Sequence, residues 1–186
     1  LWANQFDNLS NKKSHYLTTG PEIYNQLSQK VDAFICSIGT GGTISGVSEF
    51  LKEKNKNILI GLADPMGSAM HNFYKNGKLK STGSSITEGI GQGRITKNLE
   101  NTVIDESFQI TDIEALNIVY EMINKEGLIL GGSSGINIMG AVKLGKLIGP
   151  NKKIVTILCD YGTKYESKIF NKKFLKEKEL PIPKWL

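Results

Sequence analysis

The sequence is poor in the residues that most often announce a function at first reading: one arginine (Arg94), two histidines, two cysteines, and no apolar run approaching the length of a bilayer span. A spanning helix needs about 20 apolar residues and a secretory leader needs a basic region followed by an apolar one. Neither pattern is found, Leu1 to Asn8 included, so neither a membrane nor a secretory route is expected. Cys36 and Cys159 sit far apart inside apolar runs, without CxxC or CxxxH spacing. They read as small buried hydrophobes of a reducing cytosol, not as a disulfide or metal ligands. The net charge is +5, but with a single arginine the bidentate reading of guanine is almost absent, and the lysines are scattered until Lys164 to Lys184, where they alternate with acids and apolar residues. Nucleic acid is therefore not an expected partner. His15 and His71 are isolated, with no serine or cysteine partner in view, and read as surface or packing residues.

With 186 residues and 39% hydrophobic content, the chain can bury one core, and its 20 glycines fall in short clusters. Residues 1–19 read as an irregular opening segment, and Gly20–Pro21–Glu22 opens a helix reaching about Gln29. Val31 to Ile38 is a nearly continuous apolar run, as in a strand buried on both faces, interrupted by GTGGT at Gly39 to Thr43. Helical spacing returns at Ile44, Val47, Phe50 and Leu51, and Asn57 to Ala63 is a second buried strand. A helix from Pro65 or Gly67 to Tyr74 is closed by Asn76 and Gly77. Lys78 to Asn98 is a long loop carrying GIGQG, Gly89 to Gly93. Asn101 to Ile110 has mixed strand character, and Thr111 with Glu114 forms a capping box for a helix to about Lys125, with the stripe Ala115, Ile118, Val119 and Met122. Gly127 to Leu130 reads as a short buried strand, GGSSG at Gly131 to Gly135 as a glycine loop before a helix to about Leu147, and Ile154 to Cys159 as the last strand. Residues 164–186 form a Lys-rich terminal segment. Strands alternating with helices predict an α/β domain with a mainly parallel twisted sheet and helices on both faces.

In open α/β sheets ligands sit at the carboxyl ends of the strands, where GTGGT and GGSSG both fall. Glycines let backbone N–H groups converge, a helix N-terminus favours an anion, and Thr40 and Thr43 add hydroxyl donors, so Gly39 to Thr43 is a phosphate-cradle candidate. It is neither a Walker A loop nor GxGxxG, since its sixth position is Ile44; the bland reading is a tight strand-to-helix turn. Ser133 could meet a ring nitrogen or a charged group. GIGQG could equally be a plain flexible loop, and Asp64 reads as a cap of the following helix before it reads as a ribose-binding acid.

SIGTGGTISGV, ITEGIGQG, KEGLILGGSSG, NQFDN and TTGPEI together resemble the cysteine synthases of the O-acetylserine sulfhydrylase type, a pyridoxal 5′-phosphate (PLP) family of the tryptophan synthase β-like fold. The resemblance implies a large domain with the small domain mostly missing. It implies that Gly39, Thr40, Gly41, Gly42 and Thr43 hold the cofactor phosphate, that Ser133 meets the pyridine nitrogen, that Gly89 approaches the cofactor, and that Gln5 helps hold the substrate carboxylate. A neutral hydroxyl at the pyridine nitrogen favours β-elimination and replacement over transamination. The implied substrates are O-acetyl-L-serine and sulfide, with a homodimer and a cytoplasmic setting for the complete protein. No lysine lies in the context of the family's Schiff-base lysine, so no catalytic residue is assigned and the chain alone is expected to be inactive without its N-terminal half. A cystathionine β-synthase-like activity and a noncatalytic interaction module are the alternatives.

Overall fold

The computed structural model describes residues 1–186. Two short helices, α1 (Ser10–Leu17) and α2 (Thr19–Gln26), precede strand β1 (Ala33–Cys36). Then follow α3 (Gly42–Lys54), β2 (Leu59–Pro65), α4 (Met70–Asn76), β3 (Glu106–Ile110), α5 (Asp112–Glu126), α6 (Gly132–Ile148), β4 (Ile154–Val155) and α7 (Lys172–Glu177). The strands form one sheet in the order β3-β2-β1-β4, and every pairing is parallel. No helix is long and apolar enough to cross a membrane.

Alternate residues of β1 serve two different cores. Phe34 and Cys36 pack with Ile60, Leu62, Val47, Leu51 and Met70 on the face covered by α3 and α4. Ala33 and Ile35 pack with Ala63, Ile110, Ala115, Ile136 and Leu144 under α5 and α6. All four β1 residues are buried, which is why the strand reads as an unbroken apolar run. Close helix-to-sheet contact on the second face relies on Gly140, where a Cβ would stand 2.5 Å from the Cβ of Ala63. The terminal segment adds a third cluster, Ile169 and Leu175 against Leu116, Val119 and Tyr120 on the outer side of α5.

The capping box is present: Glu114 N–H donates to Thr111 Oγ1 and Thr111 N–H to Glu114 Oε2, and Gly127 ends α5 in the left-handed conformation. The inward face of α5 is rotated slightly from the expected stripe, burying Ala115, Leu116, Val119 and Tyr120. The opening segment is not irregular throughout, since Ser10–Leu17 is helical. Gly127 to Leu130 is not a strand: Leu128 and Ile129 are exposed, and Leu130 makes only an isolated antiparallel bridge to Tyr161. The last strand is shorter than its apolar run, pairing with β1 only at Ile154 and Val155. GGSSG is less a loop than expected, because Gly132 to Gly135 already form the first turn of α6.

The chain builds the sheet outward from β1 through β2 to β3, then returns to place β4 on the other side of β1. The gap between the carboxyl ends of β1 and β4 is the topological switch point, the position at which open α/β sheets bind ligands.

Candidate functional site

At that switch point lies a cavity of about 320 Å³. Gly39, Thr40, Gly41 and Thr43 line it, together with Gly89 and Ile90 of the long loop and with Ser133, Asn137, Cys159 and Asp160. Three segments distant in sequence are thereby brought together.

The wall formed by Gly39 to Thr43 is built for a negative group. The N–H groups of Gly39, Thr40, Gly41, Thr43 and Ile44 have no hydrogen-bond partner within the chain; those of Thr43 and Ile44 are left free by the first turn of α3, and Gly39 to Gly41 form the turn that leads into it. They carry the positive end of a 13-residue helix. Gly41, at φ +89°, lets the chain turn into that helix, and a Cβ at Gly39 would stand 2.7 Å from the carbonyl oxygen of Gly89. Gly42 lies behind the cavity wall, where its N–H donates to Thr40 Oγ1 at 3.3 Å.

The threonine hydroxyls are aimed from behind by α1. Asn11 Nδ2 donates to Thr40 Oγ1 at 2.8 Å, and with Gly42 N–H this occupies the acceptor side of the hydroxyl, leaving its proton to be given elsewhere. His15 stands one turn further, Nε2 3.1 Å from Thr43 Oγ1 and Nδ1 2.9 Å from Thr19 Oγ1. Burial holds its pKa below the ordinary imidazole value, so the neutral ring prevails at neutral pH. In the tautomer that accepts from Thr19, Nε2–H donates to Thr43 and frees the Thr43 proton as well. The long loop completes the support: Thr96 Oγ1 donates to Thr40 O at 2.7 Å and Gly91 N–H to Ile38 O at 2.9 Å.

The wall formed by Ser133, Cys159 and Asp160 is polar too, with a carboxyl group in place of N–H donors. Ser133 sits in the first turn of α6, and Asp160 accepts from the Tyr165 hydroxyl at 2.8 Å. Asp160 Oδ1 is buried without a partner, and burial together with this bond pushes the Tyr165 hydroxyl up to about 12. Cys159, expected in the core, is instead exposed at the cavity, whereas Cys36 is buried as expected. Burial by the surrounding walls still raises the Cys159 thiol above its usual value. The apolar run before it concealed this, because the chain leaves the sheet after Val155.

Gln5 is exposed and does not line the cavity. Its carbonyl oxygen accepts from Asn11 Nδ2 at 2.9 Å, the same nitrogen that holds Thr40, which ties the Gln5 backbone to the support behind the cradle. Asp64 lies outside the cavity and accepts from His71 N–H at 2.8 Å at the start of α4, in keeping with a capping role. Asn11, His15 and Asn137 carried no motif; only their position opposite the glycine loops in the folded chain identifies them.

Free N–H groups and threonine hydroxyls at the start of α3 thus share one cavity with a serine hydroxyl at the start of α6, a donor set suited to a ligand that carries an anionic group and a second hydrogen-bonding group. A family model described as pyridoxal-phosphate dependent enzyme matches residues 1–160. Cysteine synthase 1 of Neurospora crassa is 44% identical over 97% of this chain and 49% of its own length. Cysteine synthase of Dictyostelium discoideum is 39% identical over 98% of this chain and 51% of its own length. The crystal structure of an O-acetylserine dependent cystathionine β-synthase from Helicobacter pylori superimposes with a TM-score of 0.80 at 32% identity, covering 88% of this chain and 51% of that one. The chain thus spans about half the length of the relatives it matches.

Proposed function

The chain belongs to the pyridoxal-phosphate-dependent enzyme family, and from that premise we propose that it forms the cofactor-holding portion of a cysteine synthase, which replaces the acetate of O-acetyl-L-serine by sulfide to give L-cysteine. The observation that carries this reading is the set of unpartnered N–H groups of Gly39, Thr40, Gly41, Thr43 and Ile44, sharing one cavity with Ser133. When bound, pyridoxal 5′-phosphate supplies the electron sink for β-replacement.

In this reading the backbone of Gly39 to Thr43 and the hydroxyls of Thr40 and Thr43 hold the phosphate dianion, Gly42 acting through Thr40. Ser133 offers a neutral hydroxyl to the pyridine nitrogen and leaves it unprotonated. Gly89, at φ +79° with nothing within 4 Å of its absent Cβ, keeps the adjoining space clear. Gln5 offers its amide to the substrate carboxylate. The resemblance assigns no lysine of this chain to the covalent bond with the cofactor, so in this reading that residue belongs to the part of the relatives' length that the chain does not span, in a cytoplasmic homodimer. The Helicobacter pylori neighbour favours a second reading, in which a thiol larger than sulfide is the nucleophile.

Thermal denaturation with added ligand tests the cradle. Saturation at about 100 times Kd stabilises a fold by about 2.7 kcal/mol. PLP is expected to raise the melting temperature, pyridoxal without its phosphate to do so far less, and NAD not at all. No stabilisation by PLP refutes the reading. Mixing the chain with a polypeptide of the other half, O-acetyl-L-serine, and either sulfide or homocysteine then distinguishes the two nucleophiles by product.

A further inference from the structure

The cavity exists because β1 and β4 separate, and one buried side chain lies where they do. The two strands pair in register only at Ala33 with Ile154 and Phe34 with Val155. Just beyond, Thr156 Oγ1 donates to Ile35 O at 2.7 Å, a side chain already replacing the main chain. Further along, Asn137 of α6 enters the gap with no exposed surface. Its Oδ1 accepts from Ser37 N–H at 2.7 Å, and its Nδ2 donates to Ile157 O at 2.8 Å, with Cys159 Sγ at 3.4 Å.

One amide therefore takes the N–H that β1 would have given to its neighbour and supplies the N–H that β4 would have received. A ladder bond keeps strands about 4.8 Å apart. Two hydrogen bonds in series with an amide between them require a wider separation, and Ser37, Asn137, Ile157 and Cys159 all line the space so opened. Ser133 lies four residues before Asn137 on the same helix, hence on the same face. The glycine cradle begins two residues after Ser37 on the strand that Asn137 holds.

We propose that Asn137 is a positioning residue that wedges the carboxyl ends of β1 and β4 apart and thereby sets the distance between the phosphate cradle and Ser133. The inference rests on the cofactor reading above, and its test separates the two. A ligand that touches only the cradle is insensitive to that distance, whereas PLP must reach both ends. Asn137→Leu has similar bulk but neither bond. Asn137→Asp keeps the acceptor for Ser37 N–H and turns the donor into an oxygen facing Ile157 O; protonation of the acid restores a donor.

Two measurements on the whole chain decide the matter. In the absence of ligand, hydrogen exchange of the Ser37 amide is expected to accelerate by about tenfold or more in Asn137→Leu while remaining slow in Asn137→Asp. Faster exchange of Ala33 to Ser37 alike in both variants, or unchanged exchange in both, overturns the wedge. With ligand, PLP affinity is expected to fall by about tenfold or more in both variants while that for inorganic phosphate stays within about twofold. Relative to wild type at the same pH, PLP affinity should recover in Asn137→Asp as the solution is acidified, and not in Asn137→Leu. Equal losses for phosphate and PLP, or no acid recovery, refute the positioning role. Wild-type chain that binds phosphate but not PLP overturns the cofactor reading instead, and Ser37 exchange still decides the wedge.

Discussion

Replacing Asp64 by asparagine should stabilise this protein at neutral pH, and the amount should depend on pH in a defined sense. Asp64 is wholly buried at the end of β2; its Oδ2 accepts from His71 N–H at 2.8 Å and its Oδ1 has no partner. Burial is the dominant influence and pushes the carboxyl pKa from 3.8 up to about 6. A raised folded-state pKa means that the folded chain holds its proton longer than the unfolded one. No penalty exists below the unfolded value; it grows as pH rises from 3.8 to about 6 and is complete above that. A shift of about 2 units corresponds to about 3 kcal/mol. Asparagine retains the acceptor for His71 N–H and never ionises. Its added N–H₂ costs about 1–3 kcal/mol if left unpaired, but Gln109, the register neighbour of Asp64 on β3, has an amide nitrogen that is also unpartnered. An exchange of its amide ends would present an acceptor. Urea titrations of both proteins at about pH 8 and about pH 4 should give a gain of about 1–3 kcal/mol at the higher pH and a smaller gain, or a loss, at the lower. A difference between the two proteins that is the same at both pH values would refute the account.

Gly41→Ala places a Cβ at φ +89° and 2.5 Å from Leu99 Cγ, and should cost about 2–4 kcal/mol from left-handed strain and overpacking, read from urea denaturation. His15→Ala should weaken phosphate binding about fivefold by releasing Thr43, while His15→Gln, which can donate an N–H from a similar place, recovers part of it; equal loss in both would show that only the packing of α1 matters. Iodoacetamide should label Cys159 and spare Cys36 in the folded chain, and PLP should slow the labelling; peptide mass spectrometry reads both, and PLP-independent labelling would place Cys159 outside the cofactor's reach.

The elements that were legible in advance are those whose pattern and packing agree. β1 and β2 are buried on both faces, so their apolar runs are continuous, and α5 announces itself through the reciprocal bonds of Thr111 and Glu114. α1 was illegible for a reason tied to the site: it buries no apolar residue, and its inward positions, Asn11 and His15, are polar because they orient the threonines of the cradle. A helix that packs through hydrogen bonds has no apolar period to read. Leu128 and Ile129 misled in the opposite direction, being apolar yet exposed.

The sequence by itself determined the alternation of strands and helices, the glycine clusters at strand ends and the family resemblance, because buried strands, tight turns and anion cradles constrain local residue types. Only the tertiary structure decided that GTGGT, Gly89 and GGSSG share one cavity, that Cys159 faces it, and that the Gln5 backbone is tied to the Asn11 amide that aims Thr40. The physical reason is that the cavity belongs to no segment. It is the gap left where β4 returns to the far side of β1 and the two strands part around Asn137, a separation set by bonds between residues 20 and 100 positions apart.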